Sequence, residues 1–193
     1  MDAYRCRMMA TLGNPRVSVP IFSHVYLTLG VIAVMTLSDR RQWFEGNLPT
    51  ISKAIPKSVA WRPTRTCSCC GYLTLQQRGA HEICWLCWWE DNGQDDSTAD
   101  EVRGGPNWKY SLTEARRNFE RYEREWLKTT GPRPASLALA TPAELRRHML
   151  SAFEEILAGS QTGESWTVIS ECREVLARHL SGRDRMSTWD WLE

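Results

Sequence analysis

Apolar positions in the C-terminal half of the chain recur at the three- and four-residue intervals of an α-helix and outline three helices. In "SLTEARRNFERYEREWLKTTG", Leu112, Ala115, Phe119, Tyr122 and Trp126 fall on one face. Arg116, Arg117, Arg121 and Arg124 alternate with Glu120, Glu123 and Glu125 on the others. Ser111 and Glu114 have the spacing of a capping box, and Gly131 marks the helix end. Thr141 and Glu144 repeat the box before a face of Leu145, Met149, Ala152, Phe153, Ile156 and Leu157 that stops at Gly159. A last face of Trp166, Ile169, Cys172, Leu176 and Leu180 runs to Gly182. The linker "GPRPASLALA" breaks the periodicity with two prolines, so the last two helices read as a hairpin beyond a boundary.

The N-terminal third is less regular. Val25, Leu27 and residues 31–37 are rich in β-branched side chains, with Gly30 between them, and predict buried strands. Ser38 opens a short predicted helix in "SDRRQWFEGN", and Pro49 and Pro56 mark a loop after it. Residues 17–38 contain no Lys, Arg, Asp or Glu and follow Arg5, Arg7 and Arg16, as an export or membrane segment would. Pro20, His24 and several hydroxyl side chains dilute that run, so strands rather than a membrane span are expected. A start at Met35 is a further reading of the same stretch.

The composition, 42% hydrophobic and 24% charged in 193 residues, fits an ordinary soluble fold; only the ten tryptophans stand out. The net charge of +1 hides segregation, because residues 1–66 carry +6 and residues 67–101 carry −6.

Seven cysteines, five of them between 67 and 87, are too unevenly spaced for a disulfide scaffold and suggest metal or redox chemistry in a reducing, cytoplasmic setting. Cys67-x-x-Cys70-Gly71 and Cys84-x-x-Cys87 lie thirteen residues apart. Each tight turn aims two sulfurs at one point, and Gly71 supplies a permissive φ after the second, which is the pattern of a zinc knuckle pair. Cys67, Cys70, Cys84 and Cys87 are therefore the expected ligands of a structural zinc ion. Cys69 is a bystander or a thiol behind the ligands, and His81 is an exposed turn residue. Thioredoxin-like redox chemistry would need a helix start after the motif, and "GYLTL" is not one. The intervening "YLTLQQRGAHEI" predicts two short strands with a turn near Gly79.

The run "CSCCGYLTLQQRGAHEICWLCWWEDNGQDD…DEVRGGPN…SLTEARRNF" resembles the cysteine-rich CPCC domain of bacterial proteins. Cys67, Cys69, Cys70, Cys84 and Cys87 match its cysteines, Trp89, Glu90 and Asp91 its Trp-Glu-Asp run, and Gly104 and Gly105 its glycine turn. Ser68 and Trp85 stand where the family has proline, and every thiol is retained. The resemblance implies a metal-stapled domain and names no reaction.

The expected fold is α+β: a small zinc-ribbon-like β element with an amphipathic helix, plus a helical hairpin. The expected segments are 1–60, 61–131 and 135–193. Glu90, Asp91, Asp95, Asp96, Asp100 and Glu101 form an acidic loop beside Trp89 that would repel phosphate and suits a basic protein partner, as in an immunity or antitoxin protein. They do not fall at the ligand positions of a calcium loop. The alternative expectation is a nucleic-acid-binding or regulatory zinc protein using Arg40, Arg41, Lys53, Lys57, Arg62 and Arg65. No linear signature of a hydrolytic triad, a phosphate loop or an open metal site is present, so no enzyme is expected.

Overall fold

The computed structural model describes residues 35–128, 137, 140–159 and 163–180. Helix α1 (Leu37–Ala54) is followed by a two-stranded antiparallel sheet of β1 (Arg65–Thr66) and β2 (Leu73–Leu75). Two short 3-10 turns, Asp96–Thr98 and Gly105–Asn107, lead into α2 (Leu112–Lys128), and α3 (Pro142–Leu157) and α4 (Gly163–Leu180) complete the order. This mixture of helices and one small sheet is α+β. The strands expected before residue 35 and the C-terminal tail lie outside the described residues. Among those described, no helix is long and apolar enough to cross a membrane.

Helix α1 departs from the sequence reading at both ends. Its cap is Thr36, whose side chain accepts from the N–H of Asp39 while the Asp39 carboxylate accepts from the N–H of Thr36; Ser38 lies inside the helix. The helix also runs through Pro49. A proline there removes one backbone hydrogen bond and costs about 3 kcal/mol. Phe44 and Ile51 are both fully buried on the inner face, and burial of each contributes roughly 2 kcal/mol, which offsets that cost. Helices α2 and α3 start where expected. Ser111 with Glu114 and Thr141 with Glu144 form reciprocal capping boxes, and these backbone hydrogen bonds hold both glutamate carboxyls below the usual range. Gly159, at φ 94°, follows the end of α3.

One aromatic cluster ties the elements together. Tyr72 lies 6.1 Å from Phe44 of α1, 5.1 Å from Phe153 of α3 and 6.2 Å from Phe119 of α2, between ring centroids. Phe153 in turn meets Phe44 and, edge to face at 5.9 Å, Trp166 of α4. The Tyr72 hydroxyl donates to Glu154 of α3. From residue 35 onward the three segments expected from sequence thus share one core, and the boundaries at 60 and 131–135 do not separate independent ones.

The strands pair differently from expectation. β2 pairs back with β1, across the first cysteine turn, in the register Arg65↔Leu75 and Thr66↔Leu73 with a bulge between. The segment before the second turn pairs forward across that turn, through the Ile83↔Glu90 bridge. Each C-x-x-C turn therefore closes its own hairpin. The Glu82 carboxylate joins the two by accepting from the N–H groups of Gln76 and Gln77, at 2.6 and 3.2 Å.

Candidate metal centre

The two hairpins repeat one hydrogen-bond pattern. In the first, the Cys67 N–H donates to the Tyr72 carbonyl and the Gly71 N–H to the Cys67 carbonyl, both at 2.9 Å. In the second, the Cys84 N–H donates to the Trp89 carbonyl at 2.9 Å and the Trp88 N–H to the Cys84 carbonyl at 2.7 Å. This tight geometry puts both sulfurs of each turn on one side. Gly71 meets its demand for positive φ, at 78°, without strain; Trp88 adopts 67° in the same place.

All four sulfurs converge. Cys67 Sγ lies 3.7 Å from Cys87 Sγ, Cys70 Sγ lies 3.7 Å from Cys84 Sγ, and the four atoms are within 4.8 Å of one another. A disulfide would require roughly 2.05 Å, whereas thiolates bound tetrahedrally at about 2.3 Å stand about 3.8 Å apart. The residues fit a metal ion in spacing and in donor chemistry. Donors stand behind the sulfurs: the Cys69 N–H points at Cys67 Sγ at 3.3 Å and the Thr74 hydroxyl at Cys84 Sγ at 3.1 Å. Such contacts stabilise thiolate and fix ligand orientation. Thr74 escaped the sequence reading; its signal is a hydroxyl between Leu73 and Leu75 on a fully buried strand.

Burial pushes the thiols of Cys70 and Cys87 well up. Burial opposes ionisation of Cys84 as well, yet its contacts with the other three sulfurs and Thr74 carry it well below the ordinary thiol range. A cation between the four would draw the thiol protons off, so metal binding and ionisation of the set go together. Cys69 is buried outside this set, beside Cys87, as a thiol behind the ligands. His81 is outside the set too, with a mostly exposed ring whose Nδ1 is 3.0 Å from Glu90 Oε1.

Arginines occupy the outer side of the first turn. Because the turn aims N–H groups inward, its carbonyls face out, and Arg41 and Arg116 both donate to the Ser68 carbonyl, at 2.8 and 2.9 Å. Arg40, buried and stacked over Tyr72 at 5.0 Å, donates to the Cys70 carbonyl at 2.9 Å. Arg116 therefore does not belong to the solvated face expected for it. Of the basic residues considered for nucleic acid, Arg40 and Arg41 serve this turn and Arg62 donates to the carbonyls of Ile55 and Pro56. Lys53, Lys57 and Arg65 are exposed.

The acidic loop is likewise turned inward. Trp89, Glu90 and Asp91 are buried and cannot form an outer surface. Pairing of Glu90 with Ile83 places them under the second hairpin, where Asp91 accepts from the Gly79 N–H at 2.7 Å and lies 3.5 Å from Arg78. Asp95 and Asp96 pair with Arg41 and Arg116, the shortest contact being Arg116 to Asp96 at 2.6 Å. Burial works against the charge on Asp96, but the hydrogen bond from Arg116 and the charges of Arg41 and Arg116 hold its carboxyl below the usual range. Asp100 accepts from the Thr113 hydroxyl and Glu101 pairs with Arg103; both remain exposed.

Asn107 and Trp108, between the Gly104–Gly105 turn and α2, were not singled out by the sequence reading. Asn107 is buried and clamps Glu90 from both sides, accepting from its N–H and donating to its carbonyl, each at 2.9 Å. Beyond that anchor Trp108 is half exposed at φ 52°, with Lys109 over its ring at 5.1 Å, and Val102 is exposed beside the Gly104–Gly105 turn. No curated protein and no solved structure matches the chain. Residues 65–125, which hold both cysteine hairpins and most of α2, match the family model described as Cysteine-rich CPCC.

Proposed function

We propose that this chain is a non-enzymatic protein-interaction module stapled by a structural zinc ion. The observation that carries the reading is that four buried sulfurs lie within 4.8 Å of one another, so a tetrahedral ion held between them would have no position left for water or substrate. A four-thiolate set built from two C-x-x-C turns suits zinc, held by Cys67, Cys70, Cys84 and Cys87. The ion would contribute folding free energy to a small sheet that has little core of its own.

The surface we assign to a partner is the loop from Asp100 to Tyr110. Support comes from Trp108, a large aromatic held half exposed at a backbone angle unfavourable for it, above the buried Asn107 anchor. Strain kept in place by its surroundings is a recurrent mark of functional loops, and a rigid exposed tryptophan is a typical binding anchor. In the narrower form of the proposal the partner is a basic protein, as for an immunity or antitoxin protein. Its support is Asp100, an exposed acid at the start of that loop whose carboxylate accepts from the neutral Thr113 hydroxyl and keeps its charge available to a basic partner.

Capture from lysate with wild type and Trp108→Asn, each with and without nuclease treatment, tests this. Asparagine tolerates positive φ, so the variant removes the ring and leaves the backbone. One stoichiometric protein, retained by wild type after nuclease and lost by the variant, is expected. Recovery of nucleic acid, or equal capture by both proteins, would overturn the reading.

A further inference from the structure

Two arginines from different helices converge on one backbone carbonyl. Arg41 of α1 donates from Nη2 to the Ser68 carbonyl at 2.8 Å, and Arg116 of α2 donates to it from Nε at 2.9 Å. That carbonyl belongs to the peptide group joining Ser68 to Cys69, inside the first cysteine turn. The other end of the same peptide is the Cys69 N–H, which points at Cys67 Sγ at 3.3 Å. A chain of contacts thus runs from two guanidinium groups, through one peptide, to a sulfur of the four-cysteine set.

Such a chain polarises what lies at its end. An N–H becomes a better donor when its own carbonyl accepts hydrogen bonds, and charged donors polarise it most. Cys67 and Ser68 are fully enclosed and Cys69 nearly so, which keeps the effect in a low dielectric and shuts out water that could otherwise replace the arginines. Both arginine side chains are only 17% exposed. Asp96 holds them from the outer side, at 2.6 Å from Arg116 and 3.3 Å from Arg41. Arg40 offers a contrast. It donates to the Cys70 carbonyl, but the N–H of that peptide, on Gly71, donates to the Cys67 carbonyl, an oxygen rather than a sulfur.

We propose that Arg41 and Arg116 are positioning residues for the metal: through the Ser68–Cys69 peptide they orient and stabilise the Cys67 thiolate and so set how tightly the ion is held. The proposal rests on the reading that the four cysteines hold a metal ion. It adds that metal affinity depends on how α1 and α2 seat on the first turn. Arg41 lies outside the matched segment of residues 65–125, so the site takes one of its parts from the helix before it.

The test compares full-length wild type with the double variants Arg41→Met/Arg116→Met and Arg41→Lys/Arg116→Lys. Zn(II) and Co(II) affinities are measured by competition with a chromophoric chelator, and the sulfur-to-Co(II) charge-transfer band is recorded for each protein. The methionine pair is expected to weaken binding roughly tenfold or more. A hydrogen bond to a thiolate lowers the energy of its lone pairs, so the band should also move to longer wavelength. The lysine pair, which keeps charged donors, should restore most of both. Unchanged affinity in the methionine pair, or weaker binding with an unmoved band, would overturn the proposal and leave the metal reading intact; wild type that binds no metal would sink both. Should the methionine pair fail to fold, Arg41→Met and Arg116→Met are measured singly. A smaller shift of the band in the same direction is then expected, and an unmoved band in both would refute the relay.

Discussion

Gly71 and Trp88 occupy the same place in the two cysteine turns: each donates its N–H to the carbonyl of the first cysteine and each has positive φ, 78° and 67°. Their surroundings explain the difference in residue. A Cβ on Gly71 would stand 2.9 Å from Leu37 Cδ1 and 3.0 Å from the Leu37 carbonyl, so α1 lies directly on the turn. Trp88 instead faces Trp85 and Arg146 of α3, whose guanidinium lies over its ring. Gly71→Ala is expected to destabilise by about 1–3 kcal/mol through strain and crowding. Trp88→Gly should regain about 1 kcal/mol of backbone strain and lose more in packing, for a net loss of roughly 2–3 kcal/mol. Denaturant unfolding of the metal-loaded proteins measures both.

Serine at Cys67, Cys70, Cys84 or Cys87 should remove high-affinity metal binding, because each supplies one of four converging sulfurs. Cys69→Ser should bind metal with near wild-type affinity, since its sulfur lies outside that set. The charge-transfer absorption of Co(II)-loaded protein distinguishes the two outcomes directly. A strong chelator is expected to open the small sheet while the aromatic cluster around Tyr72 and Phe153 keeps part of the helical signal.

The pairing of Asp96 with Arg116 and Arg41 sets an acid dependence. The folded carboxyl titrates below its ordinary 3.8, so its contribution is complete above that value and is lost as pH falls through the lowered one. Asp96→Asn is therefore expected to melt below wild type at neutral pH by the small amount typical of an exposed pair. The gap should close below about pH 3.8, which thermal melts across that range would record. Taking the difference between the two proteins cancels acid release of the metal, common to both.

Asn107→Ala would leave the N–H of buried Glu90 without its Asn107 partner, while its carbonyl keeps only the Asn92 N–H. A cost of roughly 1–3 kcal/mol for the N–H left unpaired is expected in chemical denaturation. Trp108, being half exposed, should change stability by less than about 0.5 kcal/mol when replaced by Asn. The contrast separates the anchor of the loop from what the loop presents.

What the sequence determined by itself is what depends on neighbours a few residues away. Two C-x-x-C turns name their four sulfurs because two residues between cysteines suffice to aim both at one ion. Ser111 with Glu114 and Thr141 with Glu144 announce helix starts because the capping box closes within one turn. The buried faces of the last two helices follow from their period. Tertiary structure decided the rest. Thr66 meets Glu45 of α1, Arg41 reaches Asp96 and Tyr72 reaches Glu154 across 21, 55 and 82 residues of chain. No local pattern encodes such partners. An acidic run and a basic run therefore read as two free surfaces, although Arg41 pairs with Asp95 and Asp96 while Arg40 and Arg62 turn to backbone carbonyls. Pro49 marked a loop by its own chemistry, but burial of Phe44 and Ile51 carried the helix through it. Trp88 and Arg146 are 58 positions apart, and only the packing of the hairpin brings them together. Long-range packing can outweigh a local preference of a few kcal/mol, and its geometry exists only once the chain has closed on itself.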